Sequence, residues 1–281
     1  MRKLLMLVML VCLGAVTARP SDAQDWRTMT SSRRLLDRAP HEVDIEYGAG
    51  TLKVLPADAQ YLYRMEVRYT DEGSRPVVEY DQDDNRLRLG TEADEFNRES
   101  MHGADDASAT IALSRQVPLD LELKFGAGQA EIELGGMTLR EVSIATGASN
   151  TKISFSEMNR VAAEEVHIEA GAAELHVIGL GNARARRIEF KGGVGSTVLD
   201  FSGADGNMEA EIEMGVGALT LRLPRSHGVR LERHAFLSTF SAPELIREGN
   251  SYVSGNWSSA TQRLSIDVSA ALGSIEIEWV D

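Results

Sequence analysis

The residue types in this chain that could do chemistry are mostly carboxylates. Asp44/Glu46, Asp120/Glu122 and Glu211/Glu213 each flank one apolar residue. Glu169 follows His167 in the same spacing, and Glu189 and Asp267 stand in matching surroundings. In an extended chain, side chains two residues apart share a face. If the strands that carry them stack, like charges gather along one surface. At about 4 Å in water each repulsion costs about 1 kcal/mol, so this face is expected to dock something positive, either a basic peptide or a divalent cation.

Other candidate chemistry reads more simply as structure. The six histidines (41, 102, 167, 176, 227 and 234) show no closed ligand spacing of the kind a metal centre uses. In Lys191-Gly192-Gly193-Val194-Gly195-Ser196-Thr197 the lysine precedes the glycines, whereas a phosphate-cradling loop needs it after the last one. The stretch Asp81 to Asn85 has a calcium-like Asp-x-Asp but lacks the Gly and terminal Glu of a calcium loop, and a hairpin turn accounts for it. Glu131/Glu133 and Glu276/Glu278 flank inward isoleucines as a solvated face would. No Ser-His-Asp arrangement can be placed. No catalytic residue, cofactor or metal ligand is therefore expected.

The elements that would position the carboxylates follow from a stencil of alternating apolar residues, then Gly-small-Gly, then more alternation. It starts at Gly48, Gly126, Gly147, Gly171, Gly193, Gly215 and, degraded, Ala271; the middle five starts are 21, 24, 22 and 22 residues apart. A fixed period of this length signals a repeat architecture. Counting the first glycine as zero, apolar residues fall at −5, −3 and −1 (Leu121, Leu123, Phe125) and at +4, +6 and +8 (Ala130, Ile132, Leu134). Period-two alternation marks half-buried strands. The step from −1 to +4 is odd, so the strand must absorb an extra residue at a bulge or corner. Positions +1 and +2 are expected to turn inward there. The glycines are thus read as structural, and the repeats as layers of a single-core all-β solenoid.

Two interruptions divide the series. Residues 41–118 hold the first repeat, a strand from Tyr61 to Tyr69, a hairpin from Val78 to Leu89 and an acidic loop at 91–108. Residues 119–223 are contiguous solenoid repeats, and 224–281 hold a capping insertion and the last repeat. Residues 24–40 are expected to be a short helix or to lack regular structure.

Residues 1–23 read as a cleaved export signal: Arg2 and Lys3 start it, Leu4 to Val16 is apolar, and a small-residue site follows. The apolar run is shorter than the roughly 20 residues of a membrane-spanning helix, and no later stretch would span. The one cysteine, Cys12, lies in this leader, so the mature chain has no thiol and no cysteine-ligated metal site. The full chain carries a formal charge of −14; without the leader's net +2 it carries −16. Such a surface repels nucleic acid and anionic headgroups.

The run "LDLELKFGAGQAEIELGGMTLREVSIATGASNTKISF" (Leu119 to Phe155) resembles the toastrack family of bacterial envelope proteins, which includes the C-terminal domain of LiaF-type envelope-stress regulators. The likeness extends to Gly48-Ala49-Gly50 and to "REGNSYVSGNWSSATQRLSIDVSAALGSIEIEW" (Arg247 to Trp279). The resemblance implies a right-handed, rack-like, adhesin-like solenoid without a catalytic site. LiaF-type regulators carry transmembrane helices ahead of this domain, where this chain has an export signal. The expected role is an extracytoplasmic binding or scaffold module whose partner is a protein or envelope component. A part in envelope-stress signalling and a polysaccharide-active enzyme are the alternative readings.

Overall fold

The computed structural model describes residues 25–70, 74–93, 106–203 and 206–281. The expected export signal and most of the expected acidic loop lie outside the described residues. Those residues form fifteen strands: β1 (Trp26–Arg34), β2 (His41–Pro56), β3 (Tyr61–Thr70), β4 (Ser74–Asp81), β5 (Arg86–Ala93), β6 (Ser108–Leu113), β7 (Leu119–Glu133), β8 (Leu139–Ser154), β9 (Ala163–Ile178), β10 (Ala185–Asp200), β11 (Met208–Pro224), β12 (Gly228–Ser241), β13 (Leu245–Glu248), β14 (Ser251–Ser254) and β15 (Arg263–Val280). They join in one sheet of order β1-β3-β6-β2-β7-β8-β9-β10-β11-β15-β12-β14-β13, with β5 and then β4 added beside β2. Among the described residues no helix is long and apolar enough to cross a membrane.

Eight of these strands, β2, β7 to β12 and β15, are the layers of the rack. They pair in parallel and in register along nearly their whole length. Alternation decides which side chains go in. On β7, Leu121, Leu123, Phe125, Ala130 and Ile132 are all buried, as is Leu134 just after it, and their equivalents in the other layers continue one apolar core. A single layer could bury these residues only against its neighbours, so the core is built by stacking.

The corner itself differs from the sequence expectation. Position +2 is buried or half-buried in most layers, as at Gly50, Ser149, Ala173 and Gly195, but +1 turns outward at Ala148, Ala172, Val194, Val216 and Leu272. Bending a strand around a core opens room on its convex side and crowds the concave side, so the extra residue of the corner ends up outside. Val194, Val216, Leu272 and Leu237 consequently line an exposed apolar ridge, being 58%, 41%, 47% and 62% accessible. Gly128, Gly195, Gly217 and Gly273 at +2 have φ between 114° and 146°, a region open mainly to glycine. A Cβ on Gly217 would strike the carbonyl oxygen of Gly195, and one on Gly273 that of Gly217. The bends therefore sit one over another.

Short connectors join the successive layers from β7 to β11. Asn159, buried between β8 and β9, clamps three of them: its Nδ2 donates to the carbonyls of Leu139, Val161 and Ala183 at 2.8, 2.9 and 3.2 Å, and its Oδ1 accepts from the Leu139 N–H at 2.9 Å.

Both interruptions extend the stack. The hairpin β4–β5 lies beside the first half of β2, and β6, β3 and β1 lie beside its second half. The segment 24–40, expected to be helical or irregular, instead contributes the edge strand β1. It pairs antiparallel with β3, and Arg68 of β3 stacks on Trp26 with 4.5 Å between guanidinium and ring centre. At the other end the insertion covers the last layer with the β13–β14 hairpin. It also supplies β12, a further layer without the glycine stencil. The last repeat, β15, slots between β11 and β12.

Candidate functional site

Register places the outward side chains of the first half-strands in straight rows. One row carries Asp44, Glu122, Ser143, His167, Glu189, Glu211, Asp267 and Glu232, one residue per layer from β2 to β12. The next row, two residues nearer the corner, carries Glu46, Lys124, Ala145, Glu169, Lys191, Glu213, Ser269 and His234. Asp120 belongs to a third row, farther from the corner, between Glu42 and Glu141. Neighbouring strands lie about 4.8 Å apart, so the carboxylates singled out in the sequence do share one face.

Along the layers from β2 to β10 the expected repulsion is relieved by cations that sequence spacing did not reveal. Arg86 of the hairpin reaches Glu42 at 2.8 Å and Asp44 at 3.6 Å, and Arg88 reaches Glu46 at 3.9 Å. Lys124 meets Glu122 at 2.6 Å, and Arg140 grips both oxygens of Asp120. His167 sits between two carboxylates, with Nδ1 3.1 Å from Glu189 and Nε2 3.0 Å from Glu169. Glu189 is also bonded to Lys191 at 2.5 Å. That ammonium, together with His167, holds the Glu189 carboxyl below the usual carboxylate range against the opposing effect of burial.

The last layers are different. Glu189, Glu211, Asp267 and Glu232 are four carboxylates in a row on four successive strands, and Glu213 stands beside them. Among the described residues, no lysine or arginine forms an ion pair with Glu211, Glu213, Asp267 or Glu232. Asp267 faces His234 at 3.8 Å, and Glu232 accepts a hydrogen bond from Ser251 Oγ at 3.3 Å. Glu232 escaped sequence reasoning because β12 has no glycine stencil. Its buried Val229 and Leu231, two residues apart, were the available signal.

The remaining motifs are occupied structurally. Lys191 to Thr197 belongs to β10 and is laddered to β9 and β11 on either side. Asp81 Oδ1 accepts from the N–H groups of Asp83 and Asp84, which makes the acidic stretch a hairpin turn. Glu133 accepts from the N–H groups of Gly135 and Ser156 and from Ser156 Oγ, Glu131 pairs with Lys53, and Glu278 pairs with Arg222.

Residues 33–178, just over half of the chain, match the family described as the N-terminal domain of toast_rack, DUF2154. This chain belongs to the toast_rack family. The toast_rack match ends at Ile178, the last residue of β9, so the layers that carry Glu211, Glu213, Asp267 and Glu232 lie beyond it. No curated protein matches the chain. Among solved structures it is similar to a candidate cell adhesion protein from Clostridium sporogenes, at 15% identity and TM-score 0.44, covering 90% of this chain and 100% of that one. It is also similar to a candidate adhesin from Bacteroides fragilis, at 13% identity and TM-score 0.41, covering 90% and 97%. At those scores the likeness transfers no property to this chain.

Proposed function

We propose that this toast_rack protein is an exported, non-catalytic module of the bacterial envelope that presents a rigid sheet face to a basic partner. The observation that carries the reading is the run Glu211, Asp267 and Glu232 on β11, β15 and β12, which continues the row beyond the lysine-paired Glu189. Like charges directly across neighbouring strands destabilise a sheet, and here they persist without a lysine or arginine partner among the described residues, where the layers up to β10 have acquired cations. Parallel ladders on both sides of β10, β11 and β15 hold the row straight, so an extended basic peptide would meet regularly spaced charges with little ordering of the protein. The leader, the acidic surface and the family support the exported, envelope-facing setting.

Fluorescence anisotropy of a labelled oligo-arginine peptide tests the proposal. Binding is expected at low salt, weakening steeply as ionic strength rises. The double variant Glu211→Lys/Asp267→Lys should abolish it, while Glu131→Lys on the other half-sheet should leave most of it. Binding indifferent to salt, or equal in the double variant, overturns the reading.

A further inference from the structure

We propose that Glu232, His234 and Asp267 form a binding site for a divalent transition-metal ion of the zinc class, bridging β12 and β15. This goes beyond peptide docking, and it stands or falls on metal titration alone.

The placement is set by backbone register. Glu232 on β12 is directly paired with Asp267 on β15, and His234 follows two residues later on the same outward face. One oxygen of each carboxylate and one imidazole nitrogen all lie within 4.8 Å of one another. Donors around a tetrahedral zinc, each at about 2.1 Å, are about 3.4 Å apart. All three side chains are exposed, so closing a gap of at most about 1.4 Å between that limit and the zinc spacing needs rotamer adjustment and no movement of the strands.

Donor chemistry selects the class of ion. Imidazole nitrogen suits zinc, nickel or copper, while calcium and magnesium prefer an all-oxygen shell. Three protein ligands leave at least one coordination position for water or an incoming group. Local charge favours occupancy as well: Glu232 and Asp267 face each other with no lysine or arginine paired to either among the described residues. His167 offers a contrast on the same face. Both its ring nitrogens already meet carboxylates, and Lys191 partly neutralises one of them. An ion at His234 would tie the inserted layer to the last repeat.

Isothermal titration with zinc chloride, paired with thermal melting of the full chain without its leader, tests the site. One zinc per chain and a zinc-dependent rise in Tm are expected. His234→Ala and Asp267→Asn should each weaken binding by at least about tenfold, with metal-free Tm values matching the parent because both positions are exposed. His176→Ala, on the other half-sheet, should bind zinc as the parent does. The proposal is overturned by no saturable binding to the parent, by parent-like binding in both site variants, or by loss in His176→Ala. Calcium binding as tight as zinc would overturn the assigned class of ion.

Discussion

The Tyr47 ring on β2 lies flat against Phe125 on β7, with centroids 6.2 Å apart and planes 6° apart. Both rings are buried at the position just before the corner glycine. The Tyr47 hydroxyl is buried as well and has no hydrogen-bond partner among the described residues. Burial pushes its pKa up to about 12.

Tyr47→Phe keeps the stack and removes the orphaned hydroxyl. It is expected to stabilise the protein by about 1 kcal/mol, a rise of about 2–4 °C in Tm for a chain of this size. Alkaline behaviour gives a second reading. Between the ordinary tyrosine pKa near 10 and the folded value, the unfolded chain loses this proton while the native one keeps it, so stability falls as pH rises. The variant should lose stability less steeply over that window. A lower Tm for Tyr47→Phe at neutral pH would show that the hydroxyl contributes to the fold.

The stacked corners predict a contrast between two glycines. Gly217 has φ 146°, and a Cβ there would run into the Gly195 carbonyl. Gly217→Ala should cost about 3 kcal/mol or more, from backbone strain and forced separation of two layers. A methyl group on Gly48 would meet nothing within 4 Å, and Gly48→Ala should stay within about 0.5 kcal/mol of the parent. Denaturant melts of the two variants check this, and equal midpoints would refute the account of the corner.

Lys191 and Glu189 supply a prediction about pH. Because the folded carboxyl titrates below its ordinary value, its contribution is present above the unfolded pKa of about 4.3 and is lost as pH falls through the folded value. Lys191→Met should therefore lower Tm relative to the parent at pH 6, and the difference should close as Glu189 becomes protonated. Added salt should shrink it as well, since Lys191 is exposed. A gap in Tm that stays constant into acid would rule out this ion pair as its source.

The repeats were legible because burial imposes a two-residue period that survives in every glycine-bearing layer. Leu121, Leu123 and Phe125 are as deeply buried as their spacing implied. Two strands were illegible for different reasons. β1 is an edge strand with one partner, so its Arg, Ser and Thr residues need no alternation. β12 turns its corner without glycine, which removed the landmark. The acidic face could be drawn from Asp44, Glu122, Glu189 and Asp267, but its charge balance could not. Arg86 and Arg88 arrive from a hairpin about forty residues along the chain from Asp44 and Glu46, and only the folded register shows which carboxylates they neutralise. Asn159 left no trace either, because a lone asparagine in a connector reads as a turn residue.

Strand β15 occupies an interior berth although it follows β12 in sequence. Until it arrives, β11 and β12 each carry a vacant hydrogen-bonding edge, so the two must either be held apart or meet each other wrongly. Shortening the chain before Arg263 would thus remove the wedge that sets their spacing, leaving two adhesive margins instead of one finished end.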